Sequence, residues 1–238
     1  MNDKYTESDI HIKSPLLEKL DNFWFYYKIP VIVALVVVFI LSVCIAQSCS
    51  KEKEDVIVMY AGPYLYSASE FERVKGELDS VMPADFDGNG EKCTGLVTYQ
   101  VMTEEQILEY EKLLNSDDSS NRVDRTYFTT QFQTYNNYML TGECAVVLLD
   151  PSLYEKLVTS GRLKKLSDVF AELPSSAIDD YGIKFSETAL YKNSAELAKL
   201  PDDTVLCLLL PYVFGNSGDE MAYSQMTAMF VAMAKDPT

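Results

Sequence analysis

Tyrosine, glutamine, threonine and aspartate recur just downstream of the apolar runs of strand length. Tyr60 ends the first run, residues 56–60, with Gly62, Tyr64 and Tyr66 after it, and Gln100 and Thr103 lie at and beyond the end of residues 96–101. Asp150 closes the run at residues 145–149, and Tyr212 and Phe214 follow residues 204–210. Phenol rings stack on sugars and peptides while their hydroxyls and a carboxylate supply hydrogen bonds, so these nine residues are the candidate ligand-binding set. If the four runs are parallel strands, their following loops share the carboxyl edge of one sheet, where open α/β sheets take their ligands.

Chemistry beyond binding finds little support. The one histidine is His11, which leaves residues 48–238 without a Ser-His-Asp triad, a Cys-His pair or a histidine zinc site. P-loop and Gly-x-Ser-x-Gly sequences are absent. A glycosidase needs two carboxylates, but residues 48–238 hold 31 Asp and Glu, and spacing distinguishes no pair. Asp85, Asp87, Asn89 and Gly90 match positions one, three, five and six of a calcium loop, yet Leu96 stands where the closing bidentate carboxylate belongs. A tight turn without metal accounts for them. No catalytic residue, metal site or cofactor is assigned. Of Cys49, Cys93, Cys144 and Cys207, the last two sit in apolar strand-like runs and are expected as buried thiols, although three disulfide pairings remain open.

The elements that must position the binding set begin with a membrane segment. The uncharged run over residues 29–46 opens with Ile29 and closes with Ala46, and as a helix it rises about 27 Å, the hydrocarbon thickness of a bilayer. Residues 23–27 (Phe-Trp-Phe-Tyr-Tyr) form an aromatic belt before it, and Pro30 fits a first helical turn. No Ala-x-Ala-like site follows the run, so an uncleaved anchor is expected rather than a signal peptide. The division is then a cytoplasmic segment at 1–28, a span at 29–47, a tether at 48–55 and an extracytoplasmic domain at 56–238. Lys28 beside the span and the acidic downstream part favour the N-terminus inside.

Residues 48–238 carry 16 Lys and Arg against their 31 acidic residues, and the sequence pI is about 4.4. Phosphate backbones are bound by clustered cations, so nucleic acid is excluded as a partner and polyanions are repelled. Ser69 with Glu72 resembles a capping box for a helix ending before Pro83. Thr103 with Gln106 caps another helix, residues 126–140 have helical spacing, and Asp150-Pro151 starts a helix that Gly161 stops. Met226, Met229, Phe230 and Met233 mark a closing helix packed on a sheet. Alternating strands and helices predict an α/β fold: a mostly parallel sheet flanked by helices, preceded by one transmembrane helix.

Residues 142–151, followed by Leu153, Tyr154, Leu157, Gly161, Leu163 and Leu166, resemble a segment of the extracellular solute-binding proteins of ABC transporters, and residues 56–62 resemble that family's opening strand. The resemblance implies one lobe of a two-lobed binding protein. The function expected is therefore a single-pass, membrane-anchored, non-catalytic domain that binds a sugar, a peptide or an envelope partner. The rivals are a tethered carboxylate-dependent hydrolase and a structural subunit of envelope assembly.

Overall fold

The computed structural model describes residues 15–49, 54–117 and 123–237. Two units result, divided between Glu52 and Lys53. The first is helix α1, Pro15–Cys49, which contains Phe23–Cys44, 22 residues long and apolar enough to cross a membrane. Pro30 lies inside α1 rather than in its first turn, because the helix begins well before the apolar run.

The second unit is an α/β domain. Its elements in chain order are β1 (Val56–Gly62), α2 (Ala68–Val81), β2 (Thr94–Gln100), α3 (Glu104–Asp117), α4 (Arg125–Met139), β3 (Val146–Leu149) and α5 (Pro151–Ser160). They are followed by β4 (Gly182–Lys184), α6 (Ala189–Asn193), β5 (Val205–Leu208) and α7 (Glu220–Met233). Strand order is β2-β1-β3-β5-β4. β1 pairs in parallel with β2 and β3, whereas β5 is antiparallel to both β3 and β4. Four strands therefore point one way and β5 alone opposes them.

This corrects the expectation that the strand near residues 204–210 runs parallel to the others. The cause is β4, three residues too short for a periodicity argument to find. After α5 the chain makes an isolated bridge between Leu163 and Leu209 at the amino edge of β3. β4 then carries it to the carboxyl edge, and three short helical turns between residues 185 and 199 keep it there until β5 enters.

Burial follows from cover on both sheet faces. β3 and β5 are buried throughout and β1 at all but Ile57, so their sequences are continuous apolar runs instead of alternating ones. α7 contacts β1, β3, β5 and α2, placing Met226, Met229, Phe230 and Met233 in the core as expected. α4 packs on β2 through Tyr99, whose ring lies 6.2 Å from Tyr135 and 5.8 Å from Tyr138. Cys144 and Cys207 are buried free thiols; burial pushes the Cys144 thiol up to about 12 and raises that of Cys207 as well. The side chain of Cys49 lies outside the described residues.

Candidate functional site at the carboxyl edge

The loop after β1 is organised by three tyrosines. Tyr60, on β1, is almost fully buried, and its phenol oxygen accepts the backbone N–H of Tyr64 at 3.0 Å. Gly62 has no side chain because the Tyr60 phenol occupies the space a Cβ would need. Tyr66 meets the edge of both neighbours, with ring centroids 4.9 Å from Tyr64 and 6.1 Å from Tyr60. Its hydroxyl is buried with no hydrogen-bond partner among the described residues. Burial raises the pKa of all three phenols, so they remain neutral at physiological pH.

Tyr64 leads outward to a charged chain. Its hydroxyl donates to Glu70 Oε1 at 3.2 Å, and the same oxygen receives Lys199 Nζ at 2.6 Å. Lys199 also donates to Glu196 Oε2 at 2.6 Å, and Arg73 Nε donates to Glu196 Oε1 at 2.5 Å. Lys199 together with the Ser67 N–H and hydroxyl holds the Glu70 carboxyl down at about 2. Arg73 and then Lys199 pull Glu196 below the usual carboxylate range. Ser67, not Ser69, is the N-cap of α2, and Glu70 completes its capping box. The extended tyrosine loop sets that start two residues earlier than the sequence pattern suggests.

The remaining members at this edge are engaged with their own backbone. Gln100 Nε2 donates to the Pro63 carbonyl at 3.1 Å. Thr103 and Gln106 cap α3 reciprocally, and Gln106 Nε2 continues to Asp150 Oδ2 at 2.8 Å. Asp150 is 6% exposed and accepts both the N–H and the hydroxyl of Ser152, which fixes the first turn of α5. Its own N–H donates to the Ala61 carbonyl at 2.9 Å, continuing the β1–β3 ladder by one rung. A shallow recess of about 350 Å³ opens beside it, lined by Thr103, Phe132, Ser152, Leu153 and Lys156 among others, with the Lys156 ammonium 5.3 Å above the Phe132 ring.

Tyr212 and Phe214 do not join this site. Reversal of β5 carries them to the opposite, amino edge, where the Phe214 carbonyl occupies the place a Cβ on Gly142 would take. Seven of the nine sequence-derived residues thus share one edge. Glu70, Arg73, Glu196 and Lys199 complete that edge and were not in the candidate set. The Ser67/Glu70 spacing is a readable cap signal, but no local pattern ties Glu70 to Lys199, 129 positions away.

The Asp85 turn also has a feature the sequence pattern omits. Asp55, Asp85 and Asp87 bring carboxylate oxygens within 4.8 Å of one another. Asp85 accepts the N–H groups of Gly88 and Gly90, and Asp55 accepts those of Phe86, Asp87 and Cys93, so the cluster already neutralises backbone donors.

No protein-family model, curated protein or solved structure matches this chain.

Proposed function

We propose that this chain is a single-pass membrane protein whose α/β domain lies outside the cytoplasm and binds an envelope partner without catalysing a reaction, the partner's extended segment resting on the carboxyl edge. The observation that carries this reading is that the polar groups expected to hold a small ligand are already engaged: Gln100 bonds the Pro63 carbonyl, and Asp150 holds Ser152 and Gln106. What the edge offers instead is a surface, with Leu65 57% exposed beside half-buried Tyr64 and the Glu70–Lys199–Glu196–Arg73 chain. Surfaces of aromatic and paired charged groups suit protein segments better than enclosed small molecules. The anchor reading rests on the apolar stretch of α1.

The hydrolase alternative needs a carboxyl group kept protonated near neutral pH. Glu70 and Glu196 are both pulled the other way, which argues against either as a general acid. A photo-crosslinking residue at Leu65, in the full-length protein in cells, is expected to capture a discrete protein partner. Tyr64→Ala should weaken capture more than tenfold, about 1.4 kcal/mol. A thermal shift with a free sugar or short peptide, lost in Tyr64→Ala, would return the site to small-ligand binding. Turnover of an envelope glycan or peptide, lost on replacing an acidic pair, would establish the hydrolase.

A further inference from the structure

One stretch of this acidic chain carries no acid. Residues 125–142, which span α4 and the turn after it, contain neither Asp nor Glu, although the chain holds 36 of them. α5 lies beside α4 and runs in the same sense, since Phe132 shares a recess with Leu153 and Met139 shares the next with Ser160. Between the two helices is an open cleft. Its carboxyl-edge end is the recess of about 350 Å³ beside Asp150, and a second recess of about 430 Å³ continues it toward the amino edge. Tyr135, Met139, Leu140, Leu157 and Arg162 line that second recess, and Leu140 is 56% exposed. The stacked rings of Phe132 and Tyr135, with centroids 6.3 Å apart, join one recess to the other.

Two cations border the cleft, each held over a ring. The Lys156 ammonium lies 5.3 Å from the Phe132 centroid, and the Arg162 guanidinium 5.1 Å from that of Tyr212. Arg73, Arg125, Lys164, Lys184 and Lys199 all hold carboxylates, whereas Lys156 and Arg162 have no ion pair among the described residues. The acids nearest them leave this charge unanswered. Glu104, at the carboxyl-edge recess, is held by Arg125 at 2.6 Å, and Glu143, just past the acid-free stretch, accepts Asn216 Nδ2 at 2.6 Å. Glu155 precedes Lys156 but makes no ion pair with it and borders neither recess.

We infer that the cleft between α4 and α5 binds a protein segment in which one or two carboxylates stand among apolar side chains. Apolar groups fill the two recesses, and the carboxylates meet Lys156 and Arg162. A guanidinium whose face rests on a ring still presents its N–H edge, the geometry that pairs with a carboxylate. The cleft is open along its length, which suits a stretch of chain rather than an enclosed small molecule. The negative field of the surrounding domain sets an upper limit on the segment's charge, so a polyanion is rejected where a sparsely acidic segment is not. This site is built from other elements than the Tyr64 surface and stands whether or not that surface binds a partner.

The test selects a phage-displayed library of random dodecapeptides against full-length protein in detergent micelles. Wild type is expected to enrich peptides with one or two Asp or Glu among Leu, Phe and similar residues. The best of them, labelled with fluorescein and followed by anisotropy, should bind more than about tenfold more weakly to Lys156→Glu with Arg162→Glu. Selection against that double variant should instead enrich peptides carrying Lys or Arg, a reversal that misfolding would not produce. Lys192→Glu, at an exposed cation on α6, and Tyr64→Ala should leave the affinity unchanged. The proposal is overturned if no peptide is enriched, if the enriched peptides are neutral or basic, or if the double variant binds them as wild type does. Loss of binding in Tyr64→Ala alone would move the peptide to the Tyr64 surface and equally defeat it. A wild-type dimer that the double substitution breaks would assign the cleft to a second copy of the chain, against the inference.

Discussion

Asp150 accepts the amide of Gln106 at 2.8 Å across 44 residues of sequence, so the caps of α3 and α5 are one hydrogen-bonded unit. That unit links the loops that leave β2 and β3, the two strands that flank β1. It also explains why a carboxylate placed like a ligand group serves as a structural one.

Asp150→Ala should therefore cost more than an ordinary cap. Loss of the Ser152 contacts and an unpaired Gln106 amide together destabilise by about 2 kcal/mol. Chemical denaturation of the full chain in detergent would measure it, with Asp150→Asn recovering part of the loss. A change below a few tenths of a kcal/mol would contradict the shared-cap account.

Two neighbouring tyrosines should respond oppositely to loss of a hydroxyl. Tyr60→Phe removes the acceptor of the Tyr64 N–H and is expected to destabilise by about 1 kcal/mol. Tyr66→Phe removes a buried hydroxyl that has no partner among the described residues, and is expected to stabilise by up to about 1 kcal/mol. Equal signs in thermal unfolding would refute this assignment.

The glycines of the amino edge are predicted to rank by contact. Gly142→Ala must fit a Cβ against the Phe214 carbonyl at positive φ, so at least about 3 kcal/mol is expected. Gly161→Ala has a similar φ but open space, and should cost only about 1–2 kcal/mol. Midpoints of urea unfolding would order the two.

Acid should loosen the contact between α2 and the turn at Leu197–Lys199. Glu70 titrates at about 2 in the fold against its ordinary 4.5, so its stabilising contribution is whole above about pH 4.5 and is lost as pH falls toward 2. Melting temperature measured across that window should decline less steeply in Glu70→Gln, and likewise in Lys199→Met. An unchanged slope in both variants would remove the network from the acid response.

Orientation has its own test. An impermeant thiol label on intact cells should reach a cysteine at exposed Thr159 and not one at Ser8. The reverse pattern would place the domain in the cytoplasm and end the envelope-partner reading.

The amino-acid sequence alone determined whatever depends on neighbours along the chain. An uncharged run of bilayer length specifies a long apolar helix, continuous runs such as residues 145–149 specify strands buried on both faces, and Asp150-Pro151 with Gly161 delimits α5. Those signals are local, because helix caps and burial patterns are written within a few residues. Strand direction is not local. Three residues of β4, with almost no periodicity of their own, reverse β5 and move Tyr212 and Phe214 from the expected binding edge to the amino edge. Tertiary structure likewise decided that Asp150 and Gln100 are engaged with Ser152, Gln106 and Pro63 instead of standing free for a ligand, and that Lys199 meets Glu70. Pairing across such distances follows from how the sheet and its loops pack together, which no window of sequence contains.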